Sequence, residues 1–285
     1  VEMLGNTPAT RRQTEDGRRE TTFEPTPRMS TYLLAFVTGD MHKKSAKTTS
    51  GVEVNVWATT VQPTESLDFA LDAATRSIEY FEDYFGVPYP LPKADHVALP
   101  DFSSGAMENW GLITYRERVL LDYPGETSQS TREYIALVVA HETSHQWFGN
   151  LVTMKWWDDL WLNESFANMM EYQCVNTMFP EWHVWNQFIA SEGLSAFRRD
   201  ATYGVQSVHV DVHHPDEMST LFDGLHFGDD PHVDDATRTS AHAAMVNAAG
   251  VPDWALDGSG EGPAEGAARH TAAWGATDPD ALLEG

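Results

Sequence analysis

Apolar side chains recur at three- and four-residue steps along several stretches of the chain, and these predict its helices. In the first stretch, Pro63-Thr64 opens a run in which Leu67, Leu71, Ala74, Ile78, Phe81 and Phe85 share a face, stopped by Gly86 and Pro88. That stripe reads as core. In the second, TREYIALVVAHETSHQWFGN from Thr131 to Asn150, residues Tyr134, Ile135, Val138 and Val139 keep helical spacing. Thr131 is placed to cap its start and Gly149 to stop its end. A third pattern, LNESFANMMEYQCV, follows Trp161, and a fourth covers 181–199. Strand patterns are shorter. Gly51 to Ala58 alternates with Val52, Val54 and Val56 on one face, as a half-buried strand does. His96-Val97-Ala98-Leu99 follows a Pro-rich loop, and Leu112 to Tyr115 and Val119 to Leu121 read as two more strands. Residues 1–22 are polar and read as a loop or hairpin, and 23–37 end in a strand-like apolar run.

Composition narrows the classes. The chain has 285 residues, enough for one large domain or two modest ones with an ample core. A formal charge of −25 argues against nucleic acid and anionic membrane surfaces as partners. Most of the carboxylates read as solvation. The single cysteine, Cys174, lies in a helical pattern, so no disulfide forms within the chain and a buried, inert thiol is expected. That fits a reducing compartment, and a cytoplasmic location is expected. No signal-peptide pattern opens the sequence, and the start at Val1, in mid-pattern, is what a fragment gives. The longest purely apolar run, Ile135 to Ala140, is far too short to cross a bilayer.

Chemistry enters with His141-Glu142-Thr143-Ser144-His145, which reads HExxH inside the second helix. Residues four apart on a helix share a face, so both imidazoles can reach one metal ion with the glutamate beside a bound water. By itself the spacing leaves open two polar residues on a helix face. Glu164 follows His145 by 19 positions, room for a helix end, a loop and the start of the next helix. A carboxylate can thus return to the two imidazoles. Two His and one carboxylate, with a fourth position for water, make a catalytic rather than a structural zinc set.

A third motif, Gly105-Ala106-Met107-Glu108-Asn109, precedes HExxH. With GAMEN, HExxH and the downstream NESFA in order, the chain resembles the zinc aminopeptidases of the aminopeptidase N (alanyl aminopeptidase) family, gluzincin metallopeptidases, most closely the bacterial cytosolic type. The resemblance runs from about Phe23 to Gly224. It implies an α+β, thermolysin-like catalytic domain, a small mixed sheet followed by helices. It divides the chain into 1–40, the end of an N-terminal β domain, 41–224, the catalytic domain, and 225–285, a tail unlike the family. It implies a monomeric hydrolase that removes the N-terminal residue from peptides with a free N-terminus. His141, His145 and Glu164 would hold zinc, Glu142 would relay the water's proton to the leaving amine, and Glu108 would hold the substrate α-ammonium. Small Gly105 and Ala106, with Met107, would let substrate backbone pair alongside. The epoxide-opening leukotriene hydrolase branch is disfavoured, since that branch resembles GGMEN where this chain has GAMEN.

Other features have plainer readings. The indoles of Trp156, Trp157 and Trp161 are expected to pack under the site, and Asp158 or Asp159 either orients a ligand imidazole or caps the next helix. His42, His96, His183, His209, His213 and His214 are isolated or flank loops and make no second metal site. Near its end the resemblance breaks. The family carries a tyrosine that donates to the oxyanion after a segment like HPDEMSTLFDG. Here Pro215 to Gly224 matches that segment, but the next residues are Leu225-His226-Phe227-Gly228-Asp229-Asp230, and beyond Gly224 no Ile, Lys or Tyr occurs. The abrupt shift to Ala, Gly and Asp suggests a frame-shifted or spliced-in tail, disordered or weakly helical, with a divergent natural tail as the alternative. A catalytically weak zinc-binding fragment is therefore the second functional reading.

Overall fold

The computed structural model describes residues 1–194, 211–214 and 217. The expectations for most of the 214–224 segment, for 195–199 of the fourth helical pattern and for the tail lie outside the described residues.

The polar opening stretch is a hairpin framed by a second pair. Strands β2 (Ala9–Glu15) and β3 (Arg18–Phe23) pair antiparallel, while β1 (Glu2–Gly5) pairs antiparallel with β4 (Phe36–Gly39). The five-stranded sheet then begins with β5 (Met41–Lys47) and β6 (Glu53–Thr59), an antiparallel hairpin. Helix α1 (Asp68–Phe85) crosses over to β7 (Lys93–Leu99), which pairs parallel with β6. A short β8 (Ala106–Met107) and β9 (Leu112–Arg116) complete it in the order β5-β6-β7-β9-β8, with β9 parallel to β7. The helices α2 (Gln129–Ser144), α3 (Glu164–Met178) and α4 (Val184–Phe188) follow. The result is a mixed sheet followed by helices, an α+β arrangement. Among the described residues no helix is long and apolar enough to cross a membrane.

Strand β6 is buried on both faces, not on one: Val54, Val56 and Ala58 are covered, and so are Asn55 and Trp57. The reason is its place between β5 and β7 in a sheet whose central pairings are parallel, a geometry that buries both faces. One face carries the main core, in which Val54, Val56, Ile78, Phe81, Ile113, Ile135 and Met170 meet. The opposite face carries Trp57, Val97 and Leu112, capped by Leu4 of β1. Beside that patch the buried Lys93 ammonium donates to Asp95 Oδ2 at 2.7 Å, to the Gly5 carbonyl at 2.9 Å and to the Gly111 carbonyl at 2.7 Å. The opening segment is thereby stapled to the sheet. Asn6 adds a second staple, donating through Nδ2 to the carbonyls of Leu33 and Trp110, each at 2.9 Å.

Several boundaries differ from the pattern. The strand expected at His96 starts earlier, at Lys93, because Lys93 and Asp95 satisfy each other and can be buried. No strand forms at Val119–Leu121. Glu117–Val119 is a 3-10 turn, and the apolar run reflects burial of Val119, Leu120 and Leu121 rather than sheet pairing. Helix α1 does end at Gly86, which adopts φ 65° and supplies the left-handed cap. Helix α2 is capped by Ser128, not Thr131: Ser128 Oγ accepts the Thr131 N–H at 3.2 Å. It also ends at Ser144, ahead of Gly149.

The helices lock through aromatic rings at the end of α2. Trp147 lies 5.9 Å from Phe81 and 5.8 Å from Phe85 by ring centroids, and its Nε1 donates to the Val87 carbonyl at 3.0 Å. Phe148 stands 4.1 Å from Phe166 of α3. Cys174, buried on α3, approaches Ser77 Oγ of α1 at 3.7 Å. The fourth helical pattern starts with a 3-10 turn and α4, where Trp185 and Phe188 pack on Tyr172 of α3 at 6.0 and 5.0 Å.

Candidate metal centre

His141 lies in the last turn of α2 and His145 caps its end, while Glu164 is the first residue of α3. This placement suits their charges. A helix C-terminus favours a cation nearby, and a helix N-terminus favours an ionised carboxylate. The Nε2 atoms of His141 and His145 are 3.0 Å apart, and Glu164 Oε2 is 3.4 Å from the first and 3.5 Å from the second. All three sequence-predicted ligands therefore come together.

The chemistry of the donors shows what fits between them. His141 Nδ1 meets Glu171 Oε2 at 2.7 Å, and His145 Nδ1 meets the Phe148 carbonyl at 3.1 Å. Both partners are acceptors, so each Nδ1 carries the ring hydrogen and each Nε2 presents a lone pair. Two nitrogen lone pairs and a carboxylate oxygen facing one another are stable only around a proton or a cation. The set is therefore a candidate metal-binding group. Without a cation it gathers a proton. Burial opposes charge on both imidazoles, but Glu164, with Glu108 at His145 and Glu171 at His141, outweighs it; His145 is pushed up to about 9. At Glu164 burial raises and the two imidazoles lower, and the imidazoles win, holding the carboxyl well below the usual range.

Glu171 was not singled out from the sequence, and Asp158 does not do its work. Asp158 Oδ1 instead accepts the Val212 N–H at 2.7 Å. The signal for Glu171 was present: it follows Glu164 by seven residues, two helical turns, so both carboxylates project from one face of α3. Two of the indoles expected under the site are placed by their contacts. Trp156 is 43% exposed and donates to the Val212 carbonyl, while Trp157 lies against Tyr32 at 5.3 Å.

Glu142 is buried on the same helix, and its Oε2 has no hydrogen-bond partner among the described residues. Burial, reinforced by Glu108 and Glu164 against the pull of the imidazoles, pushes its carboxyl up to about 8. Carboxylate oxygens of Glu108 and Glu142 and a nitrogen of His145 lie within 4.8 Å of one another. Glu108 is buried just past β8, whose two residues, Ala106 and Met107, form the end strand of the sheet. Among the described residues nothing lies within 4 Å of where a Cβ on Gly105 would stand. The Tyr32 hydroxyl, also missed from sequence, is buried close to Glu108, Glu164 and Asn163 without a hydrogen bond of good geometry; burial and then the two carboxylates raise it above its ordinary value.

Gly149, expected as a helix stop, has a different task. It adopts φ 117°, and a Cβ there would overlap the Asn163 side-chain oxygen. The loop after His145 can thus run directly against the residue that precedes Glu164.

Residues 69–229 match the family described as the peptidase family M1 domain. The chain is 64% identical over 203 residues to aminopeptidase N of Lactococcus lactis subsp. lactis, covering 71% of this chain and 24% of that protein. It is 55% identical over 202 residues to aminopeptidase N of Lactobacillus delbrueckii subsp. lactis, covering 71% and 24%. To aminopeptidase M1-A of Oryza sativa subsp. japonica it is 45% identical over 224 residues, covering 79% and 25%. The chain spans about a quarter of the length of the curated relatives it matches.

Proposed function

The chain belongs to peptidase family M1, and from that premise we propose that it carries the zinc-binding, thermolysin-like part of an aminopeptidase that removes the N-terminal residue from peptides. The observation that carries the reading is the convergence of His141 Nε2, His145 Nε2 and Glu164 Oε2 beside the unpartnered Glu142 Oε2. Two imidazoles and a carboxylate are the donor set of catalytic zinc, with a fourth position left open. Zinc held there supplies a Lewis acid for the scissile carbonyl and a water of lowered pKa.

The chain's own residues supply the rest. Glu142 takes the proton of the attacking water and passes it to the departing amine. Without a metal, burial lifts its carboxyl to about 8, and a cation held beside it would bring it down toward the range of a group that accepts and returns a proton near neutral pH. Its Oε2 meets no donor among the described residues and is available to a proton. Glu171 and the Phe148 carbonyl fix the tautomer and orientation of the two imidazoles. Glu108 pairs with the substrate's α-ammonium, which restricts cleavage to the first peptide bond. Substrate backbone lies along the end strand at Ala106 and Met107, where open space at Gly105 admits it.

The test is hydrolysis of aminoacyl-anilides by the full chain, with and without a chelator. Release that stops with chelator and returns with zinc is expected. Release that ignores the chelator, or zinc bound stoichiometrically with no release, would remove the reading.

A further inference from the structure

A peptidase that counts residues from a free terminus needs the Glu108 carboxylate at a fixed distance from the metal group. The segment bearing Glu108 does not fix that distance by itself. Its strand, β8, is two residues long and pairs on one side only, with β9. Two-residue pairing sets register weakly.

The structure holds the segment from the other side. The backbone carbonyl of Glu108 accepts two side-chain amides, Gln146 Nε2 at 3.2 Å and Asn150 Nδ2 at 2.9 Å. Gln146 directly follows the ligand His145, and Asn150 closes the same loop, its N–H bonded to the His145 carbonyl at 3.1 Å. Gln146 grips a second point as well: its Oε1 accepts the Gly111 N–H at 3.1 Å and the Tyr89 hydroxyl at 3.2 Å. Its Nε2 also donates to the Glu142 carbonyl at 3.2 Å. Both amides are buried, Gln146 at 0% exposure and Asn150 at 2%. One pair of side chains thus joins the backbone of Glu108, the backbone of Glu142 and the helix end that carries His145.

We propose that Gln146 and Asn150 are positioning residues, a clamp that sets the spacing between the Glu108 carboxylate and the His141–His145–Glu164 group. This rests on the reading of Glu108 as the α-ammonium partner. A gap error of about 1 Å in such a spacing costs on the order of 100-fold in rate, so a clamp of fixed bond lengths has a use that a flexible loop cannot fill. Both side chains are buried, and Asn150 Nδ2 reaches the site through the Glu108 backbone, so its loss registers mainly where the substrate amine is read.

The probes are an α-amino hydroxamate and its des-amino analogue, bound to the zinc-loaded full chain and measured by calorimetry. The Kd of the des-amino analogue divided by that of the α-amino probe reports how well the amine is held. Asn150→Ala is expected to lower that ratio by about tenfold or more, while zinc content and the Kd of the des-amino probe hold steady. Gln146→Met should do the same, and Gln146→Glu, which keeps the acceptor for Gly111 but turns a carboxylate oxygen toward the Glu108 carbonyl, should lower the ratio at least as far. If Gln146→Met does not fold, Asn150→Ala and Gln146→Glu decide. Equal weakening of both probes, or loss of zinc, would show general structural support and overturn the clamp. Glu108→Gln separates the two readings. If it leaves the ratio intact, or if the unmodified chain shows no preference for the amine, the reading of Glu108 fails and the clamp with it. If it abolishes the ratio while the Gln146 and Asn150 variants preserve it, the clamp alone fails.

Discussion

Glu142 and Glu171 are two buried glutamates beside the same imidazoles, and burial raises the carboxyl of each. Their partners differ. Glu171 Oε2 is bound to His141 Nδ1 at 2.7 Å, while Glu142 Oε2 meets no donor among the described residues. A buried carboxylate with a satisfied oxygen holds geometry. One with an unsatisfied oxygen carries a desolvation cost that only a ligand, water or proton can offset. On the proposed reading, the contrast separates a group that orients the site from a group that works in it, although both are acids beside the same imidazoles.

The sharpest way to break this contrast is Glu142→Gln. The amide cannot take up the water's proton, so kcat should fall by about a thousandfold while bound zinc, measured by elemental analysis, is unchanged. A Gln variant with normal turnover would take Glu142 out of the chemistry. Next comes Glu171. Replacing it with Leu leaves His141 Nδ1–H without an acceptor and should weaken zinc binding by about 10- to 100-fold. Glu171→Gln, still an acceptor, should cost less. Competition against a chelating dye distinguishes them, and equal affinity in all three proteins would mean that Glu171 orients nothing.

A third test is the pH dependence of metal uptake. In the metal-free protein the imidazole pair holds a proton, with His145 raised to about 9, and a bound cation must displace it. Because the pKa is raised, the proton is present at neutral pH. Zinc affinity should therefore rise with pH from neutral up to about 9, by about tenfold per unit. A flat profile between neutral pH and 9 would show that no such proton is held.

How much of this was legible in the chain depends on the range of the interaction. His141, Glu142 and His145 share one helix, so their spacing alone predicts that they converge. Glu164 needed only a helix restart at a plausible distance. Glu171 was within reach of the same logic, two turns beyond Glu164, but attention to acids ahead of the helix favoured Asp158 and Asp159. The clamp was beyond it. Gln146 and Asn150 look like ordinary loop polars until the sheet brings Glu108, 38 and 42 residues earlier, against them. The cap of α2 was misplaced by three residues because Ser128 and Thr131 are both good caps, and only the geometry shows which accepts the other's N–H. Val119–Leu121 looked like a strand because burial and sheet pairing leave the same apolar mark over three residues.

The contact between Cys174 and Ser77 has a practical consequence. The sequence holds one sulfhydryl, it is wholly covered where α3 meets α1, and burial pushes its ionisation up to about 12. An alkylating reagent meets a reactive sulfur only when those two helices separate, so the rate of labelling clocks the opening of the interior and leaves surface motion out of the count.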